Sequence, residues 1–126
     1  GGDVDSRHNY FYPLRIRPGG RTVALSEYGG IAWPMPGHEP PGKTYGYGTA
    51  KDKADLTKRY KMLQWKTILP QLGRGLSALV YTQLTDVEDE VNGLFTYDRA
   101  ALKPEAAAVR SCNAALAAEF EKVTAK

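Results

Sequence analysis

The sequence holds a single cysteine, Cys112, so one chain can form neither an internal disulfide nor a cysteine zinc site. Cys112 falls on an apolar helical stripe, where a buried structural thiol is the plainer reading. Its two histidines, His8 and His38, have no metal-ligand spacing, and no metal or cofactor is assigned. No apolar run is long enough to span a bilayer, so no membrane partner is expected. Basic blocks are missing too. The 17 Lys and Arg are interspersed among 14 Asp and Glu for a net charge of +3, whereas a nucleic-acid footprint needs clustered cations. There is no signal peptide; the chain opens on Gly1 and Gly2 and is expected to be part of something longer, which leaves cytoplasmic and secreted locations equally open.

What is present reads as one soluble α/β unit. Two short apolar runs predict strands over residues 22–28 and 76–82, the first closed by Gly29 and Gly30, the second opened by Gly73 and Gly75. Neither alternates cleanly, as expected of parallel strands buried on both faces. A weaker, more polar run over residues 3–12 predicts a further strand. Residues 52–69 carry Leu56, Tyr60, Leu63 and Thr67 at helical spacing, with Met62, Trp65 and Leu69 broadening the face and Pro70 and Gly73 marking the end. A last helix is predicted from Pro104, with Glu105 beside its positive end and a stripe of Val109, Cys112, Leu116, Phe120 and Val123. The long loop over 33–48 is rich in proline, glycine and aromatics, and a polar loop over 85–93 follows the next strand. Both lie beyond strand carboxyl ends, where parallel α/β folds build their sites.

Glu27 is the focal residue. It ends an apolar strand, and a carboxylate buried there is unfavourable unless it is paired or used. It suits nucleophilic attack at a sugar's anomeric carbon; capping the sheet or pairing with an arginine is the plainer alternative. Tyr10 and Trp33 are candidate contacts, equally readable as ordinary loop aromatics, and His8 as a sugar contact or a structural histidine. Asp86 and Glu88 can bind hydroxyl groups or form a solvated acidic loop.

The string Ser26-Glu27-Tyr28-Gly29-Gly30 after Val23-Ala24-Leu25 resembles the seventh-strand nucleophile motif of glycoside hydrolase family 2, the β-galactosidase and β-glucuronidase group. Gly2-Asp3-Val4-Asp5 with His8-Asn9-Tyr10 resembles the sixth-strand segment. Residues 76–99, through Leu94-Phe95-Thr96-Tyr97-Asp98-Arg99, resemble the eighth strand and its exit loop, and Lys103-Pro104 the opening of the terminal helix. The blocks cover nearly the whole chain in the right order.

The resemblance implies a partial (β/α)8 TIM barrel spanning residues 1–126 as a single unit, roughly the last three β/α units, strands 6–8 and their helices. It implies the C-terminal segment of a retaining β-glycosidase acting on a carbohydrate. Glu27 would be the nucleophile, Tyr10 its hydrogen-bond donor, and His8, Trp33, Tyr81 and Asp86 substrate-binding residues. Tyr81 stands where the family often has a tryptophan, and Glu27 would project into a sugar-sized hollow shared with Tyr10 and Tyr81. The family's acid/base glutamate follows an asparagine on a fourth strand that is not in this sequence, and Glu39, Glu88 and Glu90 do not match that motif. The fragment alone is therefore expected to be inactive, its partner being the rest of the barrel or further copies of itself. A non-catalytic carbohydrate-binding or self-associating α/β module is the alternative.

Overall fold

The computed structural model describes residues 2–10 and 12–125. The chain folds as a mixed α/β unit. Its elements are β1 (Val4–Asn9), β2 (Thr22–Gly29), α1 (Lys53–Met62), a π-helical segment (Leu63–Ile68), α2 (Leu69–Leu72), β3 (Leu76–Thr82) and α3 (Ala106–Thr124). The strands form one sheet in the order β1-β2-β3, and both pairs are parallel. The two apolar runs become strands within one residue of the expected bounds. The weaker run forms a strand over Val4–Asn9 only; Phe11, at its far end, lies outside the described residues.

One face of the sheet carries the core. Val23, Leu25 and Tyr28 of β2 and Leu76 of β3 pack with Ile16, Ile68, Leu72 and Leu116. Burying each such side chain contributes about 1.5–3 kcal/mol. The other face is open, because three parallel strands apolar on both faces leave one of them uncovered. Val4 and Val80 are about half exposed, and Ala78 is exposed. Alternating side chains place Val23 and Leu25 on the helical side and Ala24 and Ser26 on the bare side.

Asp52 caps α1, its carboxylate accepting from the Asp55 N–H at 2.7 Å. The helical stretch runs past Leu69 and Pro70 to Leu72 and ends at Gly73, the second of the two expected end markers. Proline lacks an N–H and crowds the preceding turn, and the π segment directly upstream opens that turn to i→i+5 spacing. The buried stripe runs through Leu56, Tyr60, Gln64 and Ile68 at i+4 spacing. Gln64 and Ile68 are buried, whereas Met62 and Trp65, expected on the packed face, are 44% and 45% exposed. The last helix starts at Ala106, two residues after Pro104, with Glu105 in the capping position and its N–H held by the Thr57 hydroxyl at 3.0 Å. Cys112 and Leu116 are buried, but Phe120 and Val123 at the end of the expected stripe are largely exposed. Among the described residues no helix is long and apolar enough to cross a membrane.

Candidate active site

Glu27 sits at the carboxyl end of β2, where both ladders slip. The β1 pairing shifts so that His8 faces Glu27, and the β3 pairing is interrupted between Leu25 and Tyr28. Such bulges re-aim side chains at functional rims. The Glu27 side chain is 44% exposed, and its Oε2 accepts a 2.7 Å hydrogen bond from the Tyr10 hydroxyl and lies 3.3 Å from His8 Nδ1. The sheet thus brings three of the expected site residues, Glu27, Tyr10 and His8, to one point.

Tyr10 is held as a proton donor. Burial pushes its hydroxyl up to about 12; the Thr82 hydroxyl pulls it back, and the hydrogen bond to Glu27 raises it. At neutral pH it stays a neutral phenol offering its proton to the carboxylate. Its ring stacks on Tyr47 with centroids 4.0 Å apart and planes 8° from parallel, and Tyr45 meets Tyr47 edge-on at 5.5 Å. Two glycines make room. Gly29 and Gly30 have φ of +101° and +66°, and a Cβ on Gly30 would meet the Tyr47 and Tyr10 rings at 2.7 and 2.9 Å. Gly30 also stitches the rim together, its N–H donating to Thr82 O at 2.8 Å and its carbonyl accepting from the Tyr47 N–H at 2.9 Å. The Thr82–Gln83 peptide bond at the end of β3 is cis.

Two expected substrate contacts are corrected. Tyr81 does not share the rim with Glu27 and Tyr10. Its ring packs on the helical side, edge-on to Tyr28 at 5.4 Å and to Tyr60 at 5.3 Å, and burial pushes its hydroxyl up. A Cβ on Gly29 would strike that ring. Asp86 is not a solvent-facing hydroxyl binder either. Its side chain is 1% exposed, and its Oδ1 accepts from Lys103 Nζ and from the Gly93 N–H, both at 2.8 Å. Lys103, fully buried, also donates to Val91 O at 2.8 Å. Burial pushes the Asp86 carboxyl up and the Lys103 ammonium down, while each partner draws the other back toward its charged form. This pair holds the exit loop to the start of the last helix; it does not face a substrate.

Trp33 is half-buried, and its backbone N–H donates to Val91 O at 2.9 Å, so it lies where the two rim loops meet. Those loops bring further residues to the rim that sequence reasoning missed: Tyr45, Tyr47, Gln83, Glu90 and Asn92. Only the aromatic, glycine-rich character of 33–48 hinted at the tyrosines. Nothing in the acidic run over 86–90 distinguishes Glu90 from its neighbours. Two cavities among the described residues lie away from this rim. One of about 570 Å³ is lined by Lys53, Thr57, Lys61 and Met62, and one of about 390 Å³ by Leu84, Thr85, Phe95 and Arg99.

Chemically, the rim offers a carboxylate steadied by a neutral phenol, next to a histidine and a stacked aromatic pair. No protein-family model matches this chain, and a search of curated proteins finds no match. The geometry and the sequence resemblance are what a functional reading can draw on.

Proposed function

We propose that this chain is the C-terminal segment of the catalytic (β/α)8 barrel of a retaining β-glycosidase, of the kind found in glycoside hydrolase family 2, with Glu27 as nucleophile. One contact carries the reading: the Tyr10 hydroxyl donating to Glu27 Oε2 at 2.7 Å, at the carboxyl end of a parallel strand. The hydrogen bond fixes the carboxylate's orientation and leaves its other oxygen to react. In a retaining mechanism that oxygen attacks the anomeric carbon as the bond to the leaving oxygen breaks, giving a glycosyl-enzyme ester that water then hydrolyses. The leaving oxygen needs a proton from a second carboxyl group, about 5–5.5 Å from the first. The resemblance assigns that role to a glutamate outside this sequence. General acid help commonly contributes about 10²–10⁴ in rate, so the chain alone lacks a working pair.

The bare sheet face with Val4, Ala78 and Val80, together with two unpaired sheet edges among the described residues, suits a unit that further strands complete. The same bare face favours the second reading, a self-associating or carbohydrate-binding module without catalysis. Sedimentation of the purified chain separates a monomer from an assembly. Assays with aryl β-glycosides test the first reading: the chain alone gives no turnover, and mixing with the missing barrel strands restores it. Robust turnover by the lone chain, abolished by Glu27→Gln, contradicts the claim that the acid lies elsewhere.

A further inference from the structure

The loop after β3 turns back on itself, Val87 and Glu90 exchanging backbone hydrogen bonds at 3.1 and 3.0 Å. It then runs beside the aromatic loop. The Val91 N–H donates to Tyr45 O at 2.9 Å, and the Tyr45 N–H donates to Asp89 O at 2.6 Å. Glu90 is thereby fixed opposite Tyr45, two residues from the Tyr47 ring that stacks on Tyr10.

Its carboxylate is braced from behind. Gln83 Nε2 donates to Glu90 Oε2 at 3.2 Å and to Asn92 Oδ1 at 2.6 Å, and Asn92 Nδ2 approaches the same Glu90 oxygen at 3.4 Å. Asn92 is buried, so the brace is anchored in the fold, whereas Glu90 and Gln83 are half-buried and reach solvent. Gln83 directly follows Thr82, whose hydroxyl touches the Tyr10 phenol that holds Glu27. Chain adjacency of Thr82 and Gln83 thus sets the Glu90 brace next to the Tyr10–Glu27 pair. Tyr47 stacks on Tyr10 and meets Tyr45 edge-on, and its hydroxyl is raised first by Tyr45 and further by the charges of both Glu90 and Glu27.

We propose that Glu90, braced by Gln83 and Asn92, accepts hydrogen bonds from the hydroxyl groups of a neutral sugar ring bound between it and Glu27. The inference rests on the glycosidase reading of Glu27 and narrows its substrate. A carboxylate with one oxygen occupied by amides keeps the other for hydroxyl donors. Charge-assisted bonds of this kind are among the stronger polar contacts. The tyrosine faces supply an apolar surface for the ring's C–H groups. Two carboxylates on the walls repel a third, so a uronic acid is disfavoured relative to a hexose without a carboxylate.

The test uses this chain and three probes, methyl β-galactopyranoside, methyl β-glucopyranoside and methyl β-glucuronide, followed by amide NMR. The neutral glycosides are expected to shift the Gln83 side-chain amide and the backbone resonances of Glu90 and Tyr47. The glucuronide is expected to bind about tenfold more weakly, and Glu90→Gln to weaken the neutral glycosides about tenfold while narrowing the gap to the glucuronide. Gln83→Ala, which removes the brace and keeps the carboxylate, is expected to weaken them less. Equal or tighter glucuronide binding overturns the inference. Shifts at Tyr10 and Glu27 that Glu90→Gln leaves unchanged overturn it alone and spare the reading of Glu27. Absence of shifts at all of these residues overturns it together with sugar binding by this rim.

Discussion

Two carboxylates near the ends of neighbouring strands have opposite surroundings. Asp86 is sealed against a cation, with its side chain 1% and that of Lys103 0% exposed. Glu27 is 44% exposed, accepts from an uncharged phenol and has the exposed His8 ring near it, at 3.3 Å. A full ionic partner in a dry site consumes the carboxylate's charge and makes it a structural fastener. A neutral donor at a wet rim orients the carboxylate and leaves its charge for chemistry. The type of partner, more than position beyond a strand end, separates a buried fastener from a carboxylate that stays available at the rim.

Breaking the fastener has the largest expected effect. Lys103→Met leaves Asp86 buried and uncompensated and is expected to destabilise the fold by about 3–5 kcal/mol, read from urea unfolding. Glu27→Gln, at an exposed site, is expected to stay within about 0.5 kcal/mol of the parent. Similar losses for the two variants would erase the distinction.

The rim is next. Gly30→Ala puts a Cβ on a residue at φ +66° and against the rings of Tyr10 and Tyr47. The left-handed backbone alone costs about 1–2 kcal/mol, and the stack must shift as well. A fall in stability accompanied by a changed tyrosine near-UV circular dichroism signal is expected. Unchanged spectra would mean that the glycine does not hold the stack.

The smallest effect concerns Asp98 in the exit loop, whose carboxylate accepts from the Thr96 hydroxyl, the Ala100 N–H and His38 Nδ1. These contacts, that with Thr96 the largest, lower it from 3.8 to about 2. A carboxyl lowered on folding adds stability above its unfolded value, and that stability fades as pH falls through the folded value. The melting temperature of the parent is therefore expected to fall more steeply than that of Asp98→Asn as pH drops from 3.8 to about 2. Parallel curves would contradict the assignment.

Much of the framework was legible because β2 and β3 are apolar runs bounded by glycines, a signal carried within a few residues. The helix faces were less so. Gln64 turns inward at i+4 from Tyr60 although it is polar, and Met62 and Trp65 face outward although they are apolar, so residue type misled where the helical period did not. The open sheet face follows from the same runs, since strands apolar on both faces leave one face uncovered when only three of them form the sheet. At the site, Glu27 and Tyr10 were readable through the resemblance of their motifs. Asp86 was misread because its sequence neighbours are acidic and exposed, while the cation that claims it lies 17 residues downstream. Tyr81 was misread because the ladder slips between Leu25 and Tyr28, so its strand position does not reveal the face it takes.

The most direct measurement of the central claim is peptide mass spectrometry of the chain joined to the barrel strands that the proposal places outside this sequence, quenched during turnover of an aryl β-glycoside. The account predicts one glycosyl group in ester linkage to Glu27 and no adduct in Glu27→Gln. Turnover with the sugar on another residue, or undiminished turnover by Glu27→Gln, would contradict it.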